Sequence, residues 1–232
     1  MQMKRFYSQV EINTAEAGFE VRLDGRVLKS PAKSDLVLPN RMLAEKVMAE
    51  WQNVEDEIKP QDMPYFSSAA TVIDRVMPNR DVLNTELVGY VDGELICYRA
   101  SEDEAELAAQ QNQSWDEWLS WLAQAEQVSL TTITGIMPVS QDDAALNRAA
   151  ELIAEIDDWL FSCLYRNTTL SGSFTLSLAA LRGQIDADSL FDLAFLDELY
   201  QNRKWGQDTE AADRQNMIKS ELNDIAAFQA VL

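Results

Sequence analysis

Asp24-Gly25 sits between two short runs, Phe19-Glu20-Val21-Arg22-Leu23 and Arg26-Val27-Leu28-Lys29. A two-residue connection of this kind forms a tight turn with positive φ, whose twist matches that of two antiparallel strands. The register that follows sets Val21 opposite Leu28 on a face shared with Phe19 and Leu23, and Glu20 opposite Lys29 on the other face. Phe6-Tyr7-Ser8-Gln9-Val10-Glu11-Ile12 before the hairpin and Leu36-Val37-Leu38 after it extend the pattern. The first 40 residues are therefore predicted to form a small sheet, apolar on one face and wet on the other.

The period then changes. Asn40, following Pro39, is an N-cap for a helix running to about Glu57, with Leu43, Val47 and Trp51 on one stripe. Pro60 and Pro64 interrupt it; helices follow from Tyr65 to near Pro78 and from Val82 to Tyr90, and Gly93 to Arg99 reads as a returning strand. Ser101-Glu102-Asp103-Glu104 is a capping box opening a helix to about Val128. Leu146, Ile153, Ile156, Leu160 and Leu164 keep helical spacing, Gly172, Gly183 and Gly206 punctuate the remainder, and Asp186 and Asp208 are N-caps for the last two helices. The predicted fold class is α+β, with a β-rich N-terminal domain carrying a few helices over residues 1–100 and an all-helical C-terminal domain over residues 101–232.

Chemistry is conspicuous by its missing parts. The chain has no histidine, which removes the commonest general base and transition-metal ligand together. No glycine-rich phosphate loop occurs, and Cys97 and Cys163 stand in neither metal nor redox spacing. We expect no catalytic residues, no cofactor, no metal and no small-molecule substrate. Asp157-Asp158 are adjacent, so on a helix they point about 100° apart and do not converge on one atom. Trp115, Trp118 and Trp121 recur every three residues, a pattern that favours core packing over a partner-binding patch.

The formal net charge of −20 argues against nucleic-acid backbones and anionic membrane surfaces. Residues 1–100 carry 12 basic and 16 acidic side chains and residues 101–232 carry 7 and 23, so the acidity is concentrated in the C-terminal part. No run approaches the roughly 18 apolar residues of a membrane span, and the start, Met1-Gln2-Met3-Lys4-Arg5-Phe6, has no apolar signal core. These features predict a soluble cytoplasmic protein without membrane insertion; a chain processed by removal of an organelle presequence would start in the same way. Composition and periodicity alone lead to a protein that binds another protein, with a carboxylate-only enzyme and a stable structural adaptor as alternatives.

A series of short motifs along nearly the whole chain carries a resemblance. They include Lys4-Arg5-Phe6-Tyr7, Leu23-Asp24-Gly25-Arg26 continuing to Ser30-Pro31-Ala32, Glu50-Trp51, Ile58-Lys59-Pro60 with Met63-Pro64, Ala70-Thr71-Val72-Ile73-Asp74-Arg75, Cys97-Tyr98-Arg99-Ala100, Trp115-Asp116, Gly172-Ser173, Asp197-Glu198-Leu199-Tyr200-Gln201 and Trp205-Gly206-Gln207-Asp208-Thr209-Glu210-Ala211. In order and spacing the chain resembles the ATP12-type chaperones that assemble the catalytic head of F-type ATP synthase. The resemblance implies that the partner is the unassembled α subunit, held without ATP hydrolysis. It directs attention to Glu198, Trp205, Asp208 and Glu210 as partner-binding residues, since a carboxylate beside an aromatic suits a surface of mixed basic and apolar character. Helix capping by Trp205-Gly206 and Asp208, and plain solvation of Glu198, are the structural readings of the same residues. Arg75 and Arg99 are expected to anchor internal carboxylates.

Overall fold

The computed structural model describes residues 3–135, 137, 139–206 and 208–232, so Met1, Gln2 and Gln207 of the sequence motifs lie outside the described residues. The chain's contacts group into two compact units. The first comprises residues 1–80, 158–162 and 227–232, and the second residues 81–157 and 163–226. The change of pattern at Ala100 falls inside the second unit.

In the first unit, β1 (Met3–Lys4) precedes β2 (Val10–Ala15), β3 (Gly18–Leu23), β4 (Arg26–Val27) and β5 (Val37–Leu38). β3 is central, antiparallel to β2, β4 and β5. Asp24 and Gly25 both adopt positive φ, 47° and 78°, and the Leu28 N–H donates to the Val21 carbonyl at 2.8 Å, in the predicted register. On the other face the predicted Glu20–Lys29 meeting is replaced: Glu20 takes Arg22 and Lys29 takes Asp35. Gly18 is required by its surroundings, with φ +147° and a Cβ there falling 2.2 Å from the Leu38 carbonyl oxygen.

The first predicted strand starts late. Phe6, Tyr7 and Ser8 are outside β2 because their neighbourhood is claimed by side chains: the Asp24 carboxylate accepts the Ser8 and Gln9 N–H groups, and Arg5 Nη1 donates to the Val54 carbonyl at 2.5 Å. β1 pairs instead with β6 (Glu57–Ile58). α1 (Arg41–Gln52) is capped by Asn40, whose Oδ1 accepts the Leu43 N–H, and packs across β2 and β3. Its Leu43, Val47 and Trp51 are buried as the stripe predicts, each contributing about 1.5–3 kcal/mol. The Trp51 carbonyl accepts the Tyr7 hydroxyl at 2.6 Å, and the Trp51 ring meets Phe66 edge-on at 5.2 Å. Glu50 caps α2 (Pro64–Thr71), accepting the N–H groups of Tyr65 and Phe66.

Pro78 does not end the helical path. After α2 the chain widens into a π turn (Val72–Val76) and narrows into a 3₁₀ turn (Met77–Asn79), which sets Pro78 at an N-terminal position where its missing N–H costs nothing. Asp74 inside the π turn accepts the Ser30 hydroxyl at 2.6 Å and the Ala32 N–H at 3.0 Å, joining two of the sequence motifs.

α3 (Arg80–Asp92) leads into the second unit. The predicted strand at Gly93–Arg99 is mostly a 3₁₀ turn (Leu95–Cys97) with β7 (Tyr98–Arg99) after it. Ser101 makes no side-chain cap; a 3₁₀ turn (Glu102–Glu104) instead precedes α4 (Ala105–Trp121), which ends through a π turn (Leu122–Glu126) at left-handed Gln127. β8 (Ile133–Thr134) runs parallel to β7. The stripe from Leu146 to Leu164 is divided between α5 (Asp143–Glu155) and α6 (Asp158–Ser171), because Ile156 turns extended at ψ 130°. α7 (Phe174–Leu181), α8 (Ala187–Ala194), α9 (Leu196–Trp205) and α10 (Thr209–Gln229) follow, with Asp186 capping α8 as predicted. Trp115 is buried in a cluster with Ile96, Leu176, Phe191, Phe195 and Leu222, and Trp118 packs against it, so these two tryptophans of the repeat serve the core. Small strands at the N-terminus and a mostly helical C-terminal part make the fold α+β.

Candidate functional site

Of the four residues singled out from sequence, Trp205 ends α9, Asp208 and Glu210 stand at the start of α10, and Glu198 lies in the first turn of α9. α9 is fixed from its buried side. Asp197 accepts the Gln111 Nε2 at 2.8 Å, and burial pushes its carboxyl above the usual aspartate range. The Tyr200 hydroxyl donates to Glu106 at 3.1 Å, and Arg203 donates to Gln110 at 3.0 Å. Within Asp197-Glu198 the first carboxylate is therefore architectural and the second faces outward.

Glu198 is half-exposed but held. Its carboxylate lies 3.4 Å from Arg214 Nη1 and accepts Gln215 Nε2 at 3.1 Å, which ties α9 to α10. Asp208 accepts the Ala211 N–H at 3.4 Å and its carbonyl accepts the Ala212 N–H at 3.0 Å, so it is an N-cap. Glu210 is exposed in the first turn of α10, where negative charge suits the helix dipole. Gly206 ends α9 at φ 88°, its N–H donating to the Asn202 carbonyl. Trp205, the last residue of α9, is 68% exposed with the Lys204 ammonium 5.2 Å from its ring.

Sequence reasoning missed Arg214 and Gln215, since the link to Glu198 crosses a helix junction. It also missed Met217 on α10, 70% exposed; the signal was there, because Met217 stands off the buried positions Leu222, Ile225 and Phe228. Of the two arginines, Arg99 is buried but pairs with the exposed carboxylate of Asp116, at 2.9 Å, and lies 5.3 Å from the Trp115 ring. Arg75 is exposed, and it is its neighbour Asp74 that is engaged internally.

The α9–α10 pair offers an exposed indole at Trp205, with Lys204 beside it, and an exposed methionine at Met217, while Glu198 ties the helices together and Asp208 caps α10. The structure superposes on Atp12 from Paracoccus denitrificans with a TM-score of 0.94 at 34% identity, covering 98% of this chain and 97% of that one. The Atu1473 protein of Agrobacterium tumefaciens gives 0.88 at 30% identity, over 99% and 85%. Among curated proteins, mitochondrial atp12 of Schizosaccharomyces pombe is 23% identical over 99% of this chain and 81% of its own length, and mitochondrial ATP12 of Saccharomyces cerevisiae 24% over 97% and 84%. These likenesses define the class as chaperones of this α+β architecture. Residues 4–123 match the family described as ATP12 chaperone protein, and the chain belongs to that family. Among the described residues no helix is long and apolar enough to cross a membrane.

Proposed function

We propose that the protein binds the unassembled α subunit of the F-type ATP synthase catalytic head and promotes assembly of the head, in the bacterial cytoplasm or the mitochondrial matrix, without catalytic activity of its own. Membership of the ATP12 chaperone family supports an assembly role. The observation that carries the binding face is Trp205: a solvent-exposed indole at a helix end, in an acidic segment, forfeits apolar burial unless a partner supplies it. Trp205 and Glu210 are the contacting groups of this reading, while Glu198 and Asp208 position them by joining α9 to α10 and by starting α10.

The test is recovery of the tagged protein from its own cells. Co-purification of α without the finished synthase, and loss of assembled synthase on deletion, are expected. Recovery without α, or normal synthase after deletion, would overturn the assignment.

A further inference from the structure

β2 is an edge strand: among the described residues it pairs with β3 alone, over six residues in unbroken register. Two hydrogen bonds fix which way its backbone faces. The Val21 carbonyl accepts the Leu28 N–H at 2.8 Å and so faces away from β2, while the Gln9 carbonyl accepts the Asp24 N–H at 3.0 Å, toward β3. Backbone groups alternate sides along a strand, so Glu11 and Asn13 face Arg22 and Glu20, and the N–H and C=O groups of Val10, Ile12 and Thr14 point outward from the sheet. On the far side of β3 the strands β4 and β5 have two residues each, too short to offer such a row. β2 carries no proline, lysine or bulge, the usual protections of an edge.

Its side chains say what the edge takes. Val10 and Ile12 stand opposite Leu23 and Val21, which are buried, yet are themselves only half-buried because no strand lies beyond them. Apolar residues on an added strand complete their cover. On the other face Glu11 is exposed, and although Arg22 stands directly across from it, the Arg22 guanidinium is taken by Glu20 at 3.0 Å. Among the described residues Glu11 is left without a cation, at the open edge.

We infer that the β2 edge binds an extended segment of a partner polypeptide as an added antiparallel strand, with apolar residues opposite Val10 and Ile12 and a lysine or arginine opposite Glu11. Outward bonds at Val10 and Ile12 make the place opposite Glu11 a non-hydrogen-bonded one, where facing side chains come closest. A second copy of the chain is the poorer occupant. Antiparallel pairing of two β2 strands about Ile12 sets Glu11 against Asn13, leaves both carboxylates unneutralised and joins two chains of net charge −20. The edge site holds whichever client the α9–α10 face takes.

The test is a titration of the ¹⁵N-labelled full chain with acetyl-Thr-Val-Thr-Val-Lys-Val-amide, its counterpart with glutamate for lysine, and a form N-methylated at the second valine, the residue opposite Ile12. Saturable amide shifts centred on residues 10–15, at least threefold weaker binding of the glutamate peptide and at least tenfold weaker binding of the N-methylated one are expected. Glu11→Lys should reverse the preference between the lysine and glutamate peptides. Thr14→Pro removes an outward N–H that makes no bond to β3, and should weaken binding at least threefold while keeping the native spectrum. Equal binding of the N-methylated peptide, an unchanged preference in Glu11→Lys, shifts centred elsewhere, or no saturable shift would overturn the inference. Dimers of the free chain in sedimentation that Thr14→Pro dissociates would give the edge to a second copy and overturn it as well.

Discussion

Glu94 Oε2 accepts both hydrogen-bond donors of Thr175, the backbone N–H and the hydroxyl, each at 2.9 Å. Glu94 is fully buried, and its other oxygen accepts the Ile96 N–H at 3.3 Å, so one carboxylate stitches the Leu95–Cys97 turn to the first turn of α7. Burial makes its carboxyl harder to ionise, pushing its pKa above the ordinary glutamate value of 4.5, and the hydrogen bonds from Ser173, Thr175 and Ile96 only oppose that rise. A carboxyl that is harder to ionise in the native state gives its full relative stability below the unfolded value of 4.5. That stability is lost as pH rises from there to the folded value. Urea melts across this range should show the wild type losing stability relative to Glu94→Gln as pH increases. Glu94→Ala leaves buried donors unpaired and should cost about 2–4 kcal/mol below pH 4.5, and less as pH rises.

Two glycines with positive φ should respond differently to alanine. At Gly25 nothing lies within 4 Å of an added Cβ, so only left-handed backbone strain remains, about 1 kcal/mol. At Gly18 the added carbon strikes the Leu38 carbonyl and β3 must part from β5, which should cost about 3 kcal/mol or more. Thermal melts of the two variants, ranked against wild type, check the contrast.

The two cysteines should be chemically silent in the native protein. Burial first, then the Glu94 charge, pushes the Cys97 thiol up to about 12, and burial does the same to Cys163. Thiolate is the reacting form. A colorimetric disulfide reagent at pH 8 should therefore label neither residue before unfolding and both after addition of guanidinium chloride.

Local chemistry was legible in the sequence and long-range chemistry was not. The turn at Asp24-Gly25 and the helix caps of Asn40 and Asp186 are closed within three residues, so they follow from residue type. Ser101 failed as a cap because the chain tightens into a 3₁₀ turn there, and the stripe through Ile156 hid a break because both helices bury the same kind of side chain. At the candidate face, the resemblance directed attention to Trp205 and Asp208, and residue type accounts for the Asp208 cap. The tie from Glu198 to Arg214 spans 16 residues and a helix junction, which no periodicity encodes. The cap that Glu50 places on α2 likewise acts from 15 residues away.

Trp205 and Asp208 separate binding from architecture at the same junction. The Trp205 ring is mostly in solvent, so Trp205→Ala should change stability by no more than about 0.5 kcal/mol. Its capture of the α subunit in a pull-down should fall at least tenfold, the loss expected when a central aromatic contact is truncated. Asp208→Ala removes the acceptor of the Ala211 N–H and should cost about 1 kcal/mol of stability. Capture by that variant should drop less than for Trp205→Ala. Glu198→Lys sets a second cation beside Arg214, turning an exposed pair worth at most about 1 kcal/mol into a repulsion. The melt should therefore move little while α10 shifts against α9 and capture weakens. Full capture by Trp205→Ala would move the binding face away from this junction.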